Sequence, residues 1–405
     1  MKSPFRRPRL FAGAWKAVAD APPLDGVQTP AAAAARPVES KMMGTGFAIM
    51  SGEGAAHWSG RSYAALSRTA FMRNPVAYRC IRMIAEAAAA VPWLAYEGRN
   101  DIVDHPARAL LARPNNRQSG PDFLEALYGH LQLSGNAYVE PLLLGDALRE
   151  LHLLRPDRVS VVEGRDGWIT AYDHRAGGVT RRLPAEGPGL SLLHLKLFHP
   201  LDDHGGMSPL SAAGAAVDLH NAATAWNKAL LDNSARPSGA LVYQPKEGGN
   251  LSADQYQRLK EELEAGYAGA VNAGRPLLLE GGLDWKTMAL SPKDMDFIEA
   301  RNAAARDIAL GLGVPPMLIG IPGDNTYDNY QEANRAFYRL TVLPLVARTA
   351  ASFSAWLSDA YGDTLRLEPD LDGVAGLASE REALWARVGA AAFLSDDEKR
   401  EAVGY

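Results

Sequence analysis

Apolar residues recur at helical spacing in several blocks. Val76, Cys80, Ile81, Ile84 and Ala88 form one stripe behind Asn74-Pro75, an N-cap followed by proline at the first helical position, and predict a helix there. Phe123, Leu124, Leu127 and Leu131 repeat the stripe in a second helix, which begins near Ser119 to Pro121 and stops at Gly135. The period then shortens. Runs at 137–144, 148–154, 158–162 and 168–172, punctuated by Gly145-Asp146, Arg155-Pro156 and Asp166-Gly167, predict a meander of short antiparallel strands. Ser208-Pro209 opens a long helix to about Asn233. A compact α/β unit follows: a strand at 239–243, a helix capped by Ser252 with Gln255 in capping-box position, and strands near 276–280 and 285–290. Ser291-Pro292 opens another helix to about Leu312, so two helices bracket this unit as a stalk would. Glycine and proline break the chain from Gly313 to Gly323. Residues 329–361 then carry one long helical pattern, kinked at Pro344, and shorter helices start near Ser379 and Ser395.

Composition agrees with a folded body. The chain has 405 residues, 47% hydrophobic and 22% charged, enough for two or three structural units at about 150 residues each. The net charge of -5 conceals a split, since Lys2, Arg6, Arg7, Arg9 and Lys16 place five positive charges and no acid in the first 19 residues, leaving -10 elsewhere. An acidic body is not what phosphate neutralisation by a nucleic-acid-gripping protein requires. Residues 1–40, with Pro22, Pro23, Pro30 and the run Ala31 to Ala35, read as a tail: a basic arm touching a partner or nucleic acid, or a solvated segment. The apolar core of a signal peptide is missing there, and Pro4 and Pro8 interrupt any helix. The most apolar helical stretch, 80–96, is broken by Arg82, Glu86 and Pro92, so no membrane anchor is expected. The lone Cys80 cannot form an internal disulfide and points to a reducing compartment.

Catalytic signatures are sparse. His199, Asp202, Asp203 and His204 could serve a metal-dependent hydrolase, but their crowding around Pro200 and Gly205-Gly206 also reads as a polar turn. Gly44-Thr45-Gly46 lacks the third glycine of a dinucleotide fingerprint, no phosphate loop occurs, and no serine sits in a nucleophile elbow. Cys80 falls on an apolar face, and His105, His130, His152 and His194 are scattered without ligand spacing. Neither enzymatic activity nor a cofactor is expected.

Three stretches are more specific. NPVAYRCIRMIAEAAAAVPWLAY at 74–96, the block from HPARALLARPN through GPDFLEALYGHLQLSGNAYVE at 105–140, and GVPPMLIG at 313–320 followed by TYDNYQEANRAFYRLTVLPL at 326–345 resemble the tailed-phage portal protein family. With ARPSGAL at 235–241, the resemblance runs in order over about 60–360 and is similar to portals of prophages and gene transfer agents. It implies an α+β portal fold. Its parts would be a tail at 1–40, a mixed wing at 41–207, stem helices at 208–233 and 292–312, and a small α/β clip at 234–291. A tunnel loop would follow at 313–328, then a long kinked helix at 329–360 and a helical crown at 361–405.

The resemblance further implies a homo-oligomeric ring, usually of twelve subunits, at one capsid vertex of a virion or gene transfer agent particle, assembled in the bacterial cytoplasm. Double-stranded DNA would pass through it. The terminase large subunit, a head-tail adaptor and the major capsid protein would be partners, and no membrane. Asp324, Asn325, Thr326, Tyr327, Asp328 and Asn329 would face the channel or simply cap the following helix. Lys293, Arg301 and Arg306 would be compensating cations or a solvated helix face. Trp226, Tyr330, Phe337 and Tyr338 are candidate anchors between subunits or intramolecular core, while Arg335 and Arg339 could reach DNA or a neighbouring copy. Two further readings are a portal-like remnant in a defective prophage, and a membrane- or peptidoglycan-associated scaffold using the basic arm.

Overall fold

Asn74 shows how local chemistry starts the architecture. Its Oδ1 accepts from the backbone N–H groups of Val76 and Ala77 at 3.0 and 3.1 Å, while its amide donates to Asn221 Oδ1 at 3.0 Å, so one side chain caps a helix and ties it to another. The computed structural model describes residues 59–404 apart from 99, 103, 187–189, 233–238, 244–251, 253, 256, 259–260, 262–282, 288–296 and 322–326. All of the described residues belong to the larger of two units, Ile49–Tyr405. The tail assigned to 1–40 lies outside them.

A short α1 (Tyr63–Leu66) and a π-helical turn (Ser67–Phe71) lead to α2 (Pro75–Ala89), which buries Ala77, Cys80, Ile81, Ile84, Ala85 and Ala88. Strands β1 (Trp93–Glu97) and β2 (Asn100–Asp101) and helix α3 (Pro106–Ala112) follow. Helix α4 (Gly120–Ser134) starts in a reciprocal Ser119–Asp122 capping box and ends at Gly135, whose φ of 76° only glycine adopts freely. It packs along α2. The meander is present as β3 (Asn136–Leu144), β4 (Ala147–Leu154), β5 (Val159–Glu163) and β6 (Ile169–Ala176), and it continues into β7 (Val179–Pro184) and β8 (Leu193–Lys196). The strands form two three-stranded antiparallel sheets, ordered β4-β3-β8 and β5-β6-β7.

The helix expected from Ser208 is capped as expected but is divided: α5 (Pro209–Ala212) is followed by a break at Ala213 and then α6 (Gly214–Asp232). Gly214 leaves room beside it for the Arg61 guanidinium. A Cβ there would run into the guanidinium, which is held by Asp218 one turn further on. Next come the antiparallel pair β9 (Gly239–Tyr243) and β10 (Leu283–Thr287), and between them Ser252 and Gln255 cap each other's backbone N–H as predicted. The strand expected at 276–280 and the helix start at Ser291-Pro292 fall outside the described residues. Helix α7 (Phe297–Gly311) packs along α6.

The long pattern forms α8 (Tyr327–Phe337), a π-helical turn (Tyr338–Val342) and α9 (Leu343–Tyr361). Residues 329–361, and not the broken stretch 80–96, are long and apolar enough to cross a membrane. Within α9, however, Val346, Ala350, Phe353 and Leu357 belong to the protein core. Strand β11 (Leu365–Pro369) pairs antiparallel with β1, which lies between β11 and β2. The chain after 361 is therefore not helical throughout. Helices α10 (Ala378–Ala390) and α11 (Asp396–Val403) complete it, the latter in a Ser395–Glu398 capping box. One core joins α2, α4, α7, α9 and β11, with Phe123, Leu127, Ile84, Ile308 and Phe353 fully buried. A smaller one gathers Tyr138, Leu154, Val159, Tyr172 and Leu192 between the sheets.

Candidate subunit-contact and channel face

The GVPPMLIG segment has a defined shape. Gly313 leaves α7 at φ 68°, Pro315 holds the extended conformation, a 3-10 turn spans Pro316–Ile319, and Gly320 closes it at φ 77°. Thr341 Oγ1 donates to the Gly313 carbonyl at 2.6 Å, and a Cβ on residue 313 would come within 2.8 Å of that same hydroxyl. The loop is thus clamped to the long helix at its π-helical turn. The wide turn buries Val342 completely and leaves Leu340 77% exposed. Opposite it on α7, Leu310 is 78% exposed, although its neighbours Ile308, Ala309 and Leu312 are core. Between the two leucines lies a groove of about 400 Å³, walled by Val314, Pro315, Pro316 and Ala336 as well, with Arg306 and Asp307 at its rim.

The residues singled out from the sequence fall into three groups. Asp324, Asn325, Thr326 and Lys293 lie outside the described residues. Tyr327 and Asp328 open α8, and Asn329 and Tyr330 are exposed on its first turn. Arg301 is exposed on α7 close enough to His220 that its charge, after burial, helps lower the imidazole pKa. Arg306 stands at the groove. Trp226 is half-buried on α6. Phe337 is only 2% exposed and belongs to the core, the second of the two readings given for it. Tyr338 is half-buried with its ring against Gly376, where no Cβ would fit, so it holds the chain's own C-terminal segment.

Arg335 and Arg339 both pair with Glu380 at 3.4 Å, and Arg335 also pairs with Glu332. They clasp the first turn of α10 onto the long helix, an intramolecular role the sequence did not suggest. Leu310 and Leu340 were missed. Their signal was available, since both interrupt helical stripes of buried residues with a large apolar side chain on the wrong face.

The histidine cluster is a turn. Asp202 Oδ1 accepts from the N–H groups of His204 and Gly205, each at 2.8 Å, and these bonds hold its carboxyl below the usual range. His199 Nδ1 accepts from the Leu201 N–H at 3.1 Å, and the Asp203 carbonyl accepts from Lys196. The His199 and Asp202 side chains are thus spent on the loop itself, while the His204 ring lies 3.8 Å from Glu163 on β5. Among the described residues no group of three or more His, Cys, Asp or Glu is placed to hold a metal ion.

Residues 75–404 match the family described as phage portal protein. A chain in the neck of an empty gene transfer agent (GTA) particle, computed with C6 symmetry, is 54% identical at a TM-score of 0.70, covering 88% of this chain and 97% of that one. A chain in the neck of a native GTA particle, computed with C12 symmetry, is 53% identical at 0.67, covering 87% and 96%. The probable portal protein of Streptomyces phage phiC31 is 28% identical over 393 residues, 92% of this chain and 81% of the relative.

Proposed function

The chain belongs to the phage portal protein family, and on that premise we propose that about twelve copies form the ring at one capsid vertex of a gene transfer agent particle. Double-stranded DNA passes through the ring during packaging and ejection. The terminase large subunit and later the head-tail adaptor dock on it, and the major capsid protein surrounds it. The observation that carries this reading is the 54% identity over 88% of the chain to a component of a particle neck with cyclic symmetry. ATP hydrolysis would reside in the docked terminase, and the ring would supply a conduit.

In this reading the packed pair α6 and α7 is the stem, β9 and β10 belong to the clip, and the core built on α2, α4 and the two sheets is the wing. The first turn of α8, with Tyr327, Asp328 and Asn329, would face the channel. A ring of about twelve copies at -5 each carries roughly -60, a field that disfavours tight capture of a polyanion and suits sliding. Arg301, exposed on α7, would moderate it locally.

Electron microscopy of the purified full chain tests the proposal. A symmetric annulus is expected, and a monomer under every condition tried contradicts it. Deleting the gene in a producing strain is expected to yield particles without nuclease-protected DNA. If protected DNA persists at the parental level, the chain is a remnant that no longer packages.

A further inference from the structure

We propose that the apolar groove between α7 and the π-helical turn, walled by Leu310, Pro315, Pro316 and Leu340, is the socket that receives a second copy of this chain in the ring. The inference rests on the ring reading above and names the surface through which the ring closes. A single exposed leucine needs no explanation. Here two, 78% and 77% exposed, line one proline-walled groove of about 400 Å³, and it is contiguous exposed apolar surface of this kind that marks contact sites.

The groove is also stiff before anything enters it. One wall is the last turn of α7, the floor is fixed by two prolines, and the Gly313–Thr341 hydrogen bond ties the floor to the other wall. Little ordering would be lost on docking, which is the condition for a modest apolar contact to hold. The same segments turn Leu312, Val314 and Val342 inward, so one stretch of chain serves the core on one side and leaves a prepared face on the other.

Two observations choose the occupant. The rim carries one cation and one anion, Arg306 and Asp307, so the groove lacks the positive field that phosphate recognition requires. Its solved relatives at 54% and 53% identity sit in necks of C6 and C12 symmetry. A closed ring needs each subunit to offer one face to a different face of the next. An apolar, charge-balanced, preformed groove fits that use and not DNA.

The test uses the full chain. Leu310→Glu and Leu340→Glu change side chains that are mostly in solvent, so both variants are expected to fold with a melting temperature close to wild type. Ring formation, followed by sedimentation velocity, is expected to need at least tenfold more protein. A second readout is thiol protection. The one native cysteine, Cys80, is buried with its pKa pushed up to about 12, so in Leu340→Cys an alkylating reagent reports one site, expected to react at least tenfold more slowly in rings than in dissociated chains. Variants that assemble as wild type does, or a Leu340→Cys alkylated equally fast in both states, would overturn the socket while leaving the ring reading intact. A folded wild type that never forms rings would overturn both.

Discussion

At residue scale the tightest position is the crossing of Gly135 and Gly206. The Leu197 N–H donates to the Gly135 carbonyl at 2.8 Å, and a Cβ on Gly135, already at φ 76°, would lie within 2.6 Å of the Gly206 oxygen. Gly135→Ala therefore combines a strained backbone with a backbone clash and is expected to cost more than about 3 kcal/mol, read as a large fall in the urea midpoint. Two histidines give the chain an acid limit. Burial, then Arg155, lowers the His130 pKa to about 4, and burial, then Lys196, does the same for His194. The unfolded imidazole titrates near 6.5, so between the two values the unfolded state binds more protons. Stability is therefore full above about pH 6.5 and lost as pH falls toward 4. The melting temperature is expected to drop across that window. His130→Gln should flatten the slope, and an unchanged slope in both His130→Gln and His194→Gln would refute the assignment.

At the scale of elements, helix starts were legible because capping is local. Asn74, Ser208 and Ser252 cap as read, and Ser119 and Ser395, read only as helix starts, cap as well, each acting on N–H groups within three residues. The packing of Arg61 against Gly214 was hidden because the two lie some 150 residues apart. Strand β11 was hidden for the same reason: Leu365 and Leu367 alternate with Arg366 and Glu368 over only five residues, and the partner strand lies at 93–97. Pro344 was read as a kink. It stands inside the continuous helix 329–361, immediately after the π-helical turn, where the Leu343 N–H reaches back to the Tyr338 carbonyl and the flanking residues keep helical dihedrals. A proline there has no N–H to return to the preceding turn, and proline and π turns are the places where helices bend. Pro344→Ala is accordingly expected to stabilise the protein by up to about 3 kcal/mol, the cost of a proline in a helix interior. Equilibrium urea unfolding measures it, and an unchanged midpoint would mean that the wide turn accommodates the ring without cost.

For the whole molecule, the contrast between the core and the C-terminal helices decides where the fold ends. The groove escaped sequence reading because three separated segments, at 310, 313–316 and 336–340, compose it. The portal-like motifs revealed the family without locating that face. Beyond β11 the balance changes. Leu365, Leu367 and Val374 are 5%, 3% and 3% exposed, and each contributes about 1.5–3 kcal/mol by burial. Together with the edge they cover on β1, they approach the whole stability of an ordinary domain, about 5–15 kcal/mol. Helices α10 and α11 bury no residue of their own, and α10 is fastened by the pairs from Glu380 to Arg335 and Arg339 and from Arg381 to Asp372, exposed contacts of about 0–1 kcal/mol each. A chain ending at residue 377 is therefore expected to melt within about 3 °C of the full protein. One ending at residue 361, the boundary suggested by the helical pattern, is expected to lose its cooperative melt, because β1 would be left with only the two-residue β2 beside it. Calorimetry on the two truncations checks both statements. A cooperative transition in the shorter chain would mean that β11 is an accessory of the core and not part of it.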